Sequence, residues 1–174
     1  MSHPMRRSDR ALSTEDSLSL LTRAGFGVLS TVGADGEPYG CPLNYCLSED
    51  GTRLLFHAAP SGRKLENLRA HPHAHFTAFT DVEIVSSALS TCYASVMVEG
   101  SVEEITDREE KIAVACRIAE HFGAPFDPRG YAASVEKGYV VFALAIESVS
   151  GKRRTPMSPE EVEEFARKKS ALNG

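Results

Sequence analysis

The residues best equipped for chemistry cluster at 53–69, RLLFHAAPSGRKLENLR. His57 ends an apolar, strand-like run, and an imidazole can bond a ligand or move a proton near neutral pH. Beyond a break of small residues, Ala58-Ala59-Pro60-Ser61-Gly62, stand two adjacent cations, Arg63 and Lys64. A strand that ends in a glycine-containing turn and opens a helix with paired cations suits an anion. The helix start offers unpaired N–H groups and partial positive charge. Arginine can grip a phosphate with two parallel bonds, and lysine adds a point charge. The same residues also read as a plain loop–helix junction with two solvated cations.

Other reactive side chains have quieter readings. His73 and His75 alternate on a strand and share a face. With His57 or His71 they could bind a metal, but no carboxylate or cysteine lies at ligand spacing, so no metal site is expected. His121 falls late in a helix, where an imidazolium suits the dipole. Tyr93 and Tyr139 read as core or interface aromatics, as does Tyr45 in its own right. Cys41, Cys46, Cys92 and Cys116 form no CxxC pair and read as buried free thiols in a reducing compartment.

The 174 residues suffice for one domain with a real core. A net charge of -5 argues against nucleic acid, which needs a broad basic surface. No apolar run is long enough to span a bilayer and no signal-peptide core is present, so neither membrane association nor export is expected and the protein reads as cytoplasmic.

Pattern supplies the elements that position these groups. Residues 1–12 form a polar, basic arm. Ser13-Thr14-Glu15-Asp16 starts a helix over about 14–24, stopped by Gly25. Strand 26–32, an Asp35-Gly36 turn and strand 37–47 make a hairpin, in which Pro38 and Pro42 need an unpaired side or a bulge. Asp50-Gly51 turns the chain into strand 53–57, so the first three strands read as an antiparallel meander. A helix over 62–70 buries Leu65 and Leu68 and ends at His71-Pro72. Strand 73–80 leads to a serine-rich connection, 81–91, that could cross between sheets or cover a pocket. Strand 92–105 follows, with a bulge or bend at Gly100.

T-D-R-E at 106–109 reads as a capping box for a helix over 107–122, with Ile112, Ala115, Cys116, Ala119 and Phe122 inward. A loop at 125–137 precedes one long apolar strand, 138–149, whose burial on both faces suggests a subunit contact. Gly151-Lys152-Arg153-Arg154 is a second basic cluster, and a short amphipathic helix over 159–169 ends the chain. The class is α+β, mainly β, with the sheet closing into a small barrel because short antiparallel strands otherwise leave exposed edges.

Four stretches together resemble a known family: PLNY (42–45), LLFHAAPSGRKLENLRAHPHAHF (54–76), ASVMVEG (94–100) and IESVSGKR (146–153). They are similar to FMN-binding split-barrel proteins related to pyridoxamine 5′-phosphate oxidase, in the branch that includes the nitroimidazole-resistance proteins. The sharpest part is F-H-x-A-x-x-G-R-K-x-x-x-L behind P-L-N-[YF]. The resemblance implies a six-stranded antiparallel split β-barrel with flanking helices, a homodimer, and FMN at the subunit interface. Residues 1–154 would form the FMN-binding domain and 155–174 a helical extension of it.

Carried over by position, the backbone of strand 41–46 would lie along the isoalloxazine edge, which assigns Pro42, Leu43, Asn44 and Tyr45. His57 and Ala58 would lie beside the flavin, with His57 the candidate catalytic group. Gly62, Arg63 and Lys64 would clamp the phosphate. Ser95 would touch phosphate or ribityl, and Lys152, with Arg153, would reach the cofactor from the partner chain. The implied function is a flavin-dependent oxidoreductase acting on a small acceptor such as a nitro-compound. A non-catalytic flavin-binding or storage module and a haem- or metal-handling split-barrel protein are the alternatives. The chain lacks tryptophan and an Arg-x-His pattern near its C-terminus, so pyridoxamine-phosphate oxidation itself is not expected. It also lacks the glycine fingerprint of a Rossmann dinucleotide site.

Overall fold

A computed structural model describes residues 5–125, 127, 129, 130 and 138–170. Most of the loop expected at 125–137 and the end of the chain lie outside these residues. The basic arm becomes a 3-10 turn, Ser8–Arg10, and a two-residue strand β1, Ala11–Leu12. Helix α1, Thr14–Ala24, begins where Ser13 Oγ accepts from the Asp16 N–H at 3.0 Å and stops at Gly25, whose φ of 58° favours glycine. Strand β2, Phe26–Val32, pairs antiparallel with β3, Pro38–Asn44, across the Asp35-Gly36 turn.

The meander ends there. Tyr45 interrupts the strand expected over 37–47, and β4, Cys46–Leu47, pairs with β5, Arg53–Ala58, in a different part of the sheet. The cause is packing. The Tyr45 side chain is fully buried, its hydroxyl donates to the Leu21 carbonyl at 2.7 Å, and its ring meets Phe76 edge-on at 4.8 Å. With β6 (His73–Val85), β7 (Ser90–Glu104) and β8 (Val140–Ala145), strand order runs β3-β2-β6-β7-β8-β5-β4, so β3 stands at an edge and β5 lies beside β8.

Helix α2, Arg63–Ala70, follows β5 and buries Leu65 and Leu68, with His71 extended before Pro72. Residues 81–91 do not cross between sheets. Strand β6 runs over His73–Val85, a 3-10 turn spans Ser86–Ala88, and β7, Ser90–Glu104, returns, so the two strands form one long hairpin. Its bulge lies between Thr80 and Glu83, where Asp81 has a φ of 55°, and not at Gly100. Gly100 instead marks a change of partner. Up to Glu99, β7 pairs with β9, Ser148–Arg154; from Val102 it pairs with β8, Val140–Ala145. A Cβ at Gly100 would collide with the Ala145 carbonyl oxygen.

Helix α3, Arg108–His121, is capped by Asp107, whose carboxylate accepts from Glu110 N–H at 2.9 Å, one residue later than the expected Thr106 box. Its inward residues are Val114, Ala115, Ile118 and Ala119, with Ile112 and Cys116 packed partly against the same cluster, whereas Phe122 is exposed. The single strand expected over 138–149 is two, β8 and β9, bent at Ile146-Glu147. Both faces of β8 are buried within one chain. Val140, Phe142 and Leu144 join the main core, and Val141 and Ala143 face a second cluster with α3 residues Val114, Ala115 and Ile118. The covering helix accounts for this burial without a subunit contact. Helix α4, Pro159–Ser170, lies against the 3-10 turn at the hairpin tip. The result is an α+β fold, a curled antiparallel sheet forming a split barrel, with nine strands among the described residues where six were expected. The extra count comes from the short β1 and β4 and the break at Ile146-Glu147.

Candidate functional site

The mouth of the site lies between β5 and α2. Gly62 adopts φ 127°, outside the range that other residues favour, and its carbonyl accepts from the N–H of Leu65 at 3.0 Å and of Glu66 at 3.2 Å. The helical ladder thus starts at Leu65, and the N–H groups of Arg63 and Lys64 stay outside it, with no side-chain cap. Arg63 stacks its guanidinium 4.8 Å from the centre of the Tyr39 ring. A cleft of about 410 Å³ runs from Arg63, Glu66 and Asn67 to Gly33, Ala34 and Asp35 in the β2–β3 turn. Carboxylates of Asp35 and Glu66 share this cleft, yet among the described residues neither Arg63 nor Lys64 forms an ion pair.

Beside the mouth lies the free side of β3. Tyr45 N–H donates to Gly25 at 3.1 Å and Gly33 N–H to Glu37 at 2.9 Å, which makes Tyr39, Cys41 and Leu43 the residues bonded to β2. Gly40, Pro42 and Asn44 therefore turn their backbone groups to the open edge. Pro38 and Pro42 both occupy outward positions, where a missing N–H breaks no ladder bond. The edge offers acceptors at Pro42 and an N–H and a carbonyl at Asn44. Leu43 packs partly into the core, and Tyr45 contributes no side chain because that ring and hydroxyl are committed to the interior.

His57 pairs in register with Val141, and its side chain points to the same side as Leu55, away from the barrel interior that takes Ala58. The imidazole meets Tyr139 edge-on, with centroids 5.9 Å apart at 85°, and burial pushes its pKa below the ordinary 6.5. Cys46 is buried, and its thiol is pushed up to about 11 by desolvation, so it is an inert packing group.

Ser95 and Lys152 sit opposite one another on β7 and β9, on the outer face of the sheet. Ser95 is 7% exposed, and its hydroxyl has no hydrogen-bond partner among the described residues. Lys152 holds its ammonium 5.7 Å from the Tyr93 ring centre. Counted along the sheet from β3, these residues lie three and four strands away. Within one chain Arg63 thus meets Tyr39 of β3, while Ser95 and Lys152 stand on β7 and β9. His73 meets Glu147 at 3.3 Å and His75 meets Thr77 at 3.4 Å. No three His, Cys, Asp or Glu among the described residues are grouped to hold a metal ion, and no helix among them is long and apolar enough to cross a membrane.

Residues 13–153 match the family model described as pyridoxamine 5′-phosphate oxidase. The chain belongs to this family. Three solved structures show the family fold. A candidate 5-nitroimidazole antibiotic resistance protein from Bacteroides thetaiotaomicron is 22% identical, with a TM-score of 0.66 over 82% of this chain and 85% of that one. A FAD-binding protein from Mesorhizobium loti is 27% identical, with a TM-score of 0.59 over 84% and 98%. A FAD- and haem-binding protein from Mycobacterium smegmatis is 21% identical, with a TM-score of 0.66 over 87% and 77%. No curated protein matches the chain in sequence.

Sequence reading missed the residues that fix the mouth on this family fold. Asn67 is 5% exposed and donates to Thr31 Oγ1 at 3.0 Å, and Thr31 donates to the Tyr39 carbonyl at 3.3 Å. This relay ties α2 to the hairpin that carries Tyr39. The available signal was an amide set between Leu65 and Leu68 on a helix whose other polar residues face water.

Proposed function

We propose that the protein binds FMN, with its phosphate at the start of α2 and its ring along the β3 edge, and acts as a flavin-dependent oxidoreductase on a small acceptor such as a nitroaromatic. The observation that carries this reading is the Arg63–Lys64 pair, which forms no ion pair among the described residues and stands at the start of α2, with Arg63 stacked on Tyr39 of β3. A phosphate dianion would meet two free N–H groups, a guanidinium held by Tyr39 and an ammonium. The Asn44 N–H and the carbonyls of Pro42 and Asn44 offer the mixed donor and acceptors that a flavin pyrimidine requires. Bound FMN supplies electron transfer, and the chain supplies position and electrostatics. His57, whose pKa burial lowers, is the candidate group for contact with the flavin or the acceptor.

The separation of Ser95 and Lys152 from β3 supports a homodimer in which Lys152 of the partner subunit completes the cofactor site. The FAD-binding relatives support a flavin. The mouth offers one clamp for one phosphate, hence FMN.

Purified protein, with or without added FMN, should show flavin bands. A Soret band in their place, or a colourless protein that takes up no FMN, would overturn the reading. Arg63→Ala with Lys64→Ala should weaken FMN by several kcal/mol, since charge-assisted bonds contribute about 1.5–3 kcal/mol each. Wild-type affinity in that variant would remove the phosphate assignment. Bleaching of the flavin by a reduced nicotinamide, and its recovery with a nitroaromatic, would distinguish an oxidoreductase from a storage module.

A further inference from the structure

A second cationic cleft lies where the ends of α1, β7 and β9 converge on the β6 bulge. It has a volume of about 470 Å³ and is lined by Arg23, Asp81, Tyr93, Arg153, Arg154 and Thr155, together with Pro156. Small-molecule sites are commonly of this size. Arg153, Arg154 and Thr155 also line an adjoining cleft of about 380 Å³ that brings in Arg10. Four guanidinium groups thus gather on a chain whose net charge is -5.

Their counter-charges are few. Asp9 is engaged by Arg7 at 2.6 Å. Asp81 is the one carboxylate lining the larger cleft, and it receives a hydrogen bond from Thr80 at 3.4 Å. Among the described residues neither Arg23 nor Arg153 forms an ion pair, although the chain carries 24 acidic residues that could have supplied one. Arg154 is held in place. It bonds the Ser90 hydroxyl, approaches Met157 Sδ at 2.9 Å and lies 5.4 Å from the Phe165 ring centre. It pairs in register with Tyr93, whose ring forms a wall of the cleft.

We infer that this cleft is a second oxyanion site, built for the phosphate group of a small molecule and separate from the mouth at α2. Guanidinium groups match the paired oxygens of a phosphate, and Tyr93 and Thr155 line the same cleft.

The probe is inorganic pyrophosphate, titrated calorimetrically into the full chain in ~0.15 M KCl, where unspecific attraction is screened. With FMN saturating the mouth, one saturable site is expected. Arg23→Gln with Arg153→Gln should weaken it at least tenfold. Both side chains are exposed, so the melting temperature should stay at the wild-type value and show that the variant is folded. Arg63→Ala with Lys64→Ala should leave pyrophosphate affinity unchanged. Absence of saturable binding, or equal affinity in the Arg23/Arg153 variant, would overturn the site. Loss of pyrophosphate binding on adding FMN, or in the Arg63/Lys64 variant, would overturn its separateness.

Discussion

Arg63 and His57 belong to one segment but are set by different forces. Arg63 is exposed, and its position comes from a stack on Tyr39 and from the turn that Gly62 permits. His57 is half-buried, and desolvation is what holds its pKa down. The linkage has a definite sign. A folded-state imidazole with a lowered pKa resists protonation, while the unfolded chain takes the proton near 6.5. Stability is therefore full above that value and declines as pH falls below it. Melting temperatures followed from about pH 8 to about pH 5 should show this decline, and His57→Gln should flatten part of it. A residual slope is expected from His121, whose pKa burial and Arg117 also lower. An unchanged profile in the variant would place the titration elsewhere.

Among the elements, β7 is shared by both parts of the sheet, pairing with β9 and then with β8. The exchange of β9 for β8 at Gly100 requires two backbones closer than a side chain allows. Gly100→Ala should therefore destabilise the fold by more than the ~1–3 kcal/mol of ordinary overpacking, because a carbonyl rather than a flexible side chain blocks the new methyl. Chemical denaturation would measure it, and a change below about 1 kcal/mol would show that the strands can part there. Local signals were legible in sequence wherever short-range chemistry decides structure. Ser13 and Gly25 bound α1, Asp35-Gly36 makes its hairpin, and Pro38 and Pro42 mark an edge. Long-range choices were not legible. Nothing near Tyr45 signals that its hydroxyl will seek the Leu21 carbonyl and so divert the chain from a meander. The serine-rich stretch 81–91 concealed a hairpin because Asp81 and Leu89, without being glycine, take positive φ values. In the candidate site, the Gly62-Arg63-Lys64 turn was visible as a motif. The Asn67–Thr31–Tyr39 relay spans segments far apart in sequence and emerges only on folding.

For the whole molecule, a ligand that binds only the folded chain must raise its stability. FMN at one hundred times its Kd should contribute about 2.7 kcal/mol. Thermal melts with increasing FMN should therefore shift upward in the wild type and much less in the Arg63/Lys64 variant. Sedimentation at the same concentrations should give a dimer with one flavin per chain if Lys152 of the partner subunit completes the site, and a flavin-loaded monomer would refute that arrangement.

The bulge between Thr80 and Glu83 divides the β6–β7 hairpin into two registers. One runs from His73 opposite Ser101 to Thr80 opposite Ala94, the other from Glu83 opposite Cys92 to Val85 opposite Ser90. It works as an expansion joint. Residues added or removed in the outer arm would be absorbed there, and Ser95 would still face outward while Val96 still filled the core. Helix α4 rests on the tip of that arm and would travel with it. The outer arm and the C-terminal helix can thus diverge together in length and sequence, while the barrel keeps its inward and outward faces in step.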